Sequence, residues 1–188
     1  MVEGGPERRW FLDACVLYPQ LLREIVLGAA QAGLITPFWS PRVLEEWRIA
    51  AARAGGMKAE AEVRSLTAEM AAAFPDAEVE PDPAVLAALV LPDAADVHVA
   101  AAAATAEAAI LTLNIRDFPA RRLAGHGLAA VHPDGALWAL CGDAPEALAP
   151  VIDQALARLS RPQTDSGRNA LKRSGLPRLG KAWASRAA

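Results

Sequence analysis

The chain has 188 residues and a formal net charge of −3; 53% of it is hydrophobic and only 5% aromatic. That length suits one domain with a sizeable core, and the composition excludes a disordered chain, a collagen-like repeat and a disulfide scaffold. The two cysteines, Cys15 and Cys141, lie in apolar runs and read as buried free thiols of a reducing compartment.

Residues 9–14 (RWFLDA) form a short apolar run ending in an acid, too short for a helix, which predicts a buried strand. The turn-prone Tyr18-Pro19 follows, and Pro19 suits the first turn of a helix over 20–32, with Leu21, Leu22, Ile25, Val26 and Ala29 on one face. Gly33 stops it. A second strand is expected over 34–39. Ser40-Pro41 then has the form of an N-cap followed by proline at the first helical position. That helix carries Val43, Leu44, Trp47 and Ala51 as far as Gly55-Gly56, and another over 57–73 carries Val63, Leu66 and Met70.

Residues 74–83 are acidic and proline-punctuated, a loop with a short strand near Val79. A short helix is expected over 84–90. Pro92-Asp93 opens an alanine-rich helix over 94–107. Strands at 109–113 and 128–132 follow, and helices at 134–141 and 144–159 close the body. Strands alternating with helices indicate an α/β fold with a parallel sheet covered on both faces. In such sheets the functional crevice lies at the carboxyl ends of the strands.

The net charge hides an asymmetry. Residues 1–157 carry 11 basic and 21 acidic side chains, whereas residues 158–188 carry 8 basic and 1 acidic. The basic segment reads as two short helices, the first capped by residues 162–165 and the second set off by Gly175-Leu176-Pro177. It is either a solvated arm, a guide for a polyanion such as RNA, or a surface packed on a partner, and Leu171, Leu176, Leu179 and Trp183 favour a packed contact. The apolar stretch 97–113 is interrupted by His98, Thr105 and Glu107, so no membrane span is expected. The first ten residues lack a signal-peptide core, and a cytoplasmic location is expected.

Four acids stand where this topology would bring them to one rim. Asp13 ends the first strand; Glu46 lies on the helix after the second; Asp96 opens the alanine-rich helix; Asp117 follows strand 109–113. Each alone has a plain structural reading, as a turn residue, a solvated helix face or an acid in a first helical turn. Together they repel one another and call for a cation. Mg²⁺ or Mn²⁺ takes oxygen ligands and suits phosphodiester hydrolysis.

The order of these acids carries a resemblance. FLDACVLYP (11–19), WSPRVLEEW (39–47), LPDAADVHVAAAA (91–103) and ILTLNIRDFP (110–119) resemble the four motifs of PIN-domain nucleases, in the branch of the VapC-type toxins of type II toxin–antitoxin modules. The resemblance covers roughly residues 8–135. It implies a three-layer α/β/α sandwich with a central parallel sheet, a PIN-like domain over 8–157, and a basic helical extension over 158–188. It implies a Mg²⁺- or Mn²⁺-dependent ribonuclease with Asp13, Glu46, Asp96 and Asp117 as catalytic and metal-binding residues. Ser40, Thr112, Asn114 and Arg116 are accessory residues on this reading. Glu46, rather than Glu45, takes the second position, six residues after Ser40. A homodimer and a cognate antitoxin are also implied. Three positions depart from the pattern. Cys15 stands where Asn or Ser is common, which predicts a weakened or lost hydrogen bond near Asp13. Ala95 replaces a frequent acid, and Asn114 removes a charged ligand. A non-catalytic PIN-like module that binds RNA or protein is the competing expectation.

His98 reads as a core or supporting histidine before a ligand, and His126 and His132 lack zinc-site spacing. Trp39, Trp47 and Trp138 read as core anchors. Arg116 is a phosphate partner or a surface arginine. A phosphate-binding glycine loop and a Gly-x-Ser-x-Gly elbow are absent from the sequence, which leaves P-loop hydrolysis and serine acyl transfer unsupported.

Overall fold

The structure is a computed structural model, and it describes residues 8–159 and 166–185. Four strands, β1 (Arg9–Leu12), β2 (Thr36–Phe38), β3 (Ala109–Leu111) and β4 (Ala130–Val131), form one all-parallel sheet in the order β2-β1-β3-β4. Phe11 in the central β1 is paired with Phe38 on one side and Ile110 on the other. Phe11, Leu12, Ile110 and Leu111 are fully buried, as expected of a parallel sheet with both faces covered. β2 is an edge strand and tolerates Pro37, which has no ladder donor to give.

β1 stops at Leu12, one residue short of Asp13. Asp13 instead precedes a four-residue helix, α1 (Ala14–Leu17), which the sequence does not suggest. α2 (Gln20–Gln31) follows as expected, and Gly33 takes a positive φ of 70° just past its end.

Ser40 caps the next helix as its position predicts: its Oγ accepts from the Val43 N–H at 3.3 Å, with Pro41 in the first turn. The helical run α3 (Pro41–Ala73) is interrupted at Gly56, where φ 64° and ψ −157° fall in a region only glycine occupies comfortably. The two helices expected around Gly55-Gly56 are therefore two arms of one run. Arg48 bridges them, bonded to Glu45 on its own arm and to Glu60 on the other. The expected strand near Val79 is one parallel bridge, with the Val79 N–H donating to the Trp39 carbonyl at 2.8 Å.

Next come α4 (Pro83–Ala88), a 3₁₀ turn (Ala94–Asp96) and α5 (Val97–Thr105). Ala100 to Ala103 are fully buried, and α5 packs on β1 and β3. Alanine has little area to bury, but it lets a helix lie close to a sheet. A second 3₁₀ turn (Ile115–Asp117) and α6 (Ala120–Ala124) lie between β3 and β4, then α7 (Pro133–Asp143) and α8 (Pro145–Ala157). α6 (ARRLA) has one buried residue, Leu123, so no apolar period announces it.

The basic segment forms α9 (Gly167–Arg173) and α10 (Pro177–Ser185); the expected cap at 162–165 lies outside the described residues. Its apolar side chains are used within the chain. Leu171, Leu176 and Leu179 are fully buried in the common core, and the Trp183 indole donates to Asp153 of α8 at 2.8 Å. Among the described residues no helix is long and apolar enough to cross a membrane.

Candidate functional site

The sheet order places its switch point between β1 and β3, because the chain leaves β1 toward β2 on one side and returns through β3 on the other. Side chains just past the carboxyl ends of these two strands share the crevice where α/β folds bind ligands. Asp13 follows β1; Thr112, Asn114 and Asp117 follow β3.

Asp13 is held from several sides. The fully buried Thr112 hydroxyl donates to its Oδ2 at 2.7 Å, and the Cys15 thiol donates to the same oxygen at 3.1 Å. The Leu113 N–H donates to Cys15 Sγ at 3.2 Å, and the Asn114 N–H donates to Thr112 Oγ1 at 3.0 Å. The hydrogen bond expected to weaken or vanish at Cys15 is therefore not lost, but its donor is a thiol, weaker than the hydroxyl or amide common there. Burial, then the neighbouring Asp13 charge, pushes the Cys15 thiol up to about 12. Cys15 is half-buried rather than fully buried, whereas Cys141 is buried; both are free.

Glu46 lies on the first arm of α3. His98, almost fully buried in α5, places Nε2 2.9 Å from Glu46 Oε1, and Arg42 donates to the same oxygen at 3.4 Å. Burial pulls the His98 pKa down while Glu46 pulls it up, and the net direction is down. A neutral imidazole that donates from Nε2 is consistent with this. Its Nδ1 is buried without a hydrogen-bond partner. Glu45, one residue away, faces Arg48. The helix thus divides its two neighbouring glutamates between a supporting ion pair and the crevice.

Asp96 ends the 3₁₀ turn before α5 and is half-buried. Its carboxyl is raised from 3.8 to about 6, first by desolvation, then by the charges of Asp117, Asp93, Asp13 and Glu46. The other three acids singled out in the sequence, Asp13, Glu46 and Asp117, therefore all lie within electrostatic reach of Asp96. Asp93 is a fifth. Its Oδ1 also accepts from the Ala95 N–H at 2.8 Å in an Asx turn; Pro92-Asp93 marks the helix start in the sequence, but not the contribution of Asp93 to the acidic field.

Of the accessory residues, Thr112 and Ser40 are buried, and Asn114 and Arg116 are exposed at the rim. Ser40 serves the helix cap described above. His126 is exposed, and His132 caps α7, its Nδ1 accepting from the Asp134 N–H at 3.2 Å. Trp39 and Trp47 are core anchors at 1% and 2% exposure, but Trp138 is not: it is 46% exposed, with the Arg178 guanidinium 4.2 Å from its ring centroid. The buried positions of α7 are Pro133, Asp134, Leu137, Leu140 and Cys141, and residue 138 lies about 100° around the helix from 137. It also stands one turn from the buried Asp134 and Cys141, at the edge of the buried stripe, so helical spacing alone does not place it outside.

The donor set is carboxylate oxygen, which suits a hard divalent cation. Among the described residues, no three His, Cys, Asp or Glu side chains stand close enough to form a ready cage. Mg²⁺ keeps several waters and takes only one or two carboxylates directly, so such an ion does not require a ready cage. No protein-family model matches the chain, and neither a curated protein nor a solved structure is significantly similar to it.

Proposed function

We propose that the chain is a divalent-metal-dependent endoribonuclease with a PIN-like α/β/α sandwich, acting as the toxin of a toxin–antitoxin module. The observation that carries this reading is the placement of Asp13 and Asp117 just past the carboxyl ends of β1 and β3 at the switch point, with Asp96 near enough for their charges to raise its carboxyl. The charges of Asp117, Asp93, Asp13 and Glu46 disfavour an ionised Asp96, and a divalent cation would offset that repulsion. The four acids also occur in the order that the sequence resemblance requires.

Asp13 and Asp96 would hold the ion, with Glu46 and Asp117 completing the shell directly or through water. Mg²⁺ or Mn²⁺ held there would supply an activated water and charge neutralisation at the scissile phosphate. The chain's own residues orient the carboxylates. Thr112 and Cys15 both bond Oδ2 of Asp13, which leaves Oδ1 to face an ion. His98 and Arg42 fix the Glu46 carboxylate. On this reading the protein works in the cytoplasm, as a homodimer, under the control of a cognate antitoxin.

The decisive experiment is cleavage of RNA with Mg²⁺ or Mn²⁺, with and without chelator, by the parent and by Asp13→Asn. Cleavage should need the metal and be abolished by the substitution. Chelator-resistant cleavage, or equal cleavage by the variant, would overturn the mechanism. A second reading, a non-catalytic PIN-like RNA-binding module, is favoured by the lack of three converging ligands among the described residues. Titration with Mn²⁺ separates the two, since the module requires no affinity for the ion.

A further inference from the structure

The basic hairpin α9–α10 is part of the body, and its position relative to the crevice is defined. Its turn lies against the strand end that carries the site: a Cβ at Gly175 would stand 3.7 Å from Leu113, the residue between Thr112 and Asn114. The hairpin is tightly closed, because a Cβ at Gly180 would come within 3.1 Å of Leu171 and 3.2 Å of the Arg168 carbonyl. Asp134, in the first turn of α7, fixes the start of α10: its carboxylate accepts from the Arg178 N–H at 3.0 and 3.2 Å and from the Leu179 N–H at 3.0 Å. Asp134 is buried, and its charge is committed to the free N–H groups of that helix end.

Residues 166–185 contain five basic side chains, Arg168, Lys172, Arg173, Arg178 and Lys181, and no acidic one. All five residues are exposed. Trp138 lies one turn beyond Asp134 on the same face of α7, where the Arg178 guanidinium covers it. Nearly half of that tryptophan stays open to solvent even with the cation over its ring.

We propose that α9–α10, with Trp138 and Arg178, forms a track for single-stranded RNA that leads to the carboxylate crevice. The arrangement pairs the two elements single-strand binding needs, exposed cations for the phosphate backbone and a half-open aromatic ring on which an unpaired base stacks. It also answers an electrostatic difficulty. The five acids around the crevice repel a polyanion, so a nuclease there needs a cationic surface beside the acids to hold the strand. The RNA substrate rests on the ribonuclease reading of the crevice; the track is a separate surface and is tested without metal.

The test uses the full chain carrying Asp13→Asn, in chelator, with a labelled oligoadenylate as probe and fluorescence anisotropy as the readout. Trp138→Ala should weaken binding about tenfold or more, and Trp138→Phe should restore most of it. Arg178→Ala and Lys172→Ala should each lower the salt slope by about 0.7. Neither side chain closes the hairpin, since it is the backbone N–H of residue 178 that Asp134 holds, and unfolding curves should stay superimposable. A duplex of the same length should bind more weakly than the single strand. Binding of Trp138→Ala within twofold of the parent would overturn the proposal. So would duplex binding as tight as single-strand binding, or displacement by polyglutamate as effective as by RNA, which would assign the surface to an acidic protein. If the binding pattern holds but metal-dependent cleavage is absent from the unsubstituted chain, the track stands and the nuclease reading falls.

Discussion

Asp96 shows what one residue costs at the crevice. Its folded pKa of about 6 lies above the ordinary 3.8, so the folded state keeps the proton through a window in which the unfolded state has lost it. Stability therefore falls as pH rises from about 3.8 to about 6 and stays lowered above that. Asp96→Asn should remove this slope and raise stability at pH 7 by on the order of 1 kcal/mol, a figure reduced for the half-exposed side chain. Urea unfolding at pH 4 and pH 7 checks it; a variant less stable than the parent at pH 7 would refute the repulsion argument. On the ribonuclease reading, Mg²⁺ should stabilise the parent and lose that effect in the variant. Cys15 provides a second test at this scale. With its thiol held near 12 beside Asp13, it should resist iodoacetamide at pH 8 in the folded protein and react once unfolded. Rapid labelling of the native thiol would mean the Asp13–Cys15–Thr112 contacts do not persist in solution.

At the scale of elements, the helix ends were the most legible parts of the chain. Ser40-Pro41 carries its own instruction, a side-chain acceptor followed by a residue with no N–H to satisfy, and the cap forms as written. The elements that the sequence hides are short. α1, α6 and the 3₁₀ turn at Ile115–Asp117 span five residues or fewer, and no hydrophobic period can be read over so few positions. Two of these three carry or follow the site acids, Asp13 immediately before α1 and Asp117 in the 3₁₀ turn. Asp134 was not legible either, because its partners, the N–H groups of Arg178 and Leu179, lie more than forty residues away. Replacing it by Ala should cost about 1–3 kcal/mol by stranding those donors, and Asn should recover part of the loss. Chemical denaturation measures this, and a change below about 0.5 kcal/mol would show that α10 is capped by water as well as by Asp134.

For the whole molecule, the described part of the basic extension belongs to the core. Leu171, Leu176 and Leu179 are fully buried, and Trp183 ties α10 to α8. Deleting residues 160–188 should therefore expose apolar surface of α7 and α8 and lower the melting temperature sharply, or leave the chain insoluble. A truncated chain that melts at the parent's temperature would make the extension a separate arm. The charge asymmetry between body and extension, visible in the sequence, becomes in the fold a cationic hairpin whose turn abuts the residue preceding Asn114.

Residue order alone determined the alternation of strands and helices, the parallel sheet it implies and the four acids to watch, because hydrophobic period, caps and proline positions are local properties. The resemblance to PIN-domain nucleases, through the Ser40 to Glu46 spacing of its second motif, also set Glu46 apart from Glu45. The tertiary structure decided which acids share a field, and it added Asp93 to them. It alone turned the expected core tryptophan Trp138 outward under Arg178, and it alone used the leucines of the basic segment within this chain. The physical reason is the same in each case. Burial and electrostatic coupling depend on what packs opposite a residue, and for Asp13, Trp138 and Leu179 the opposing groups come from segments distant in the chain.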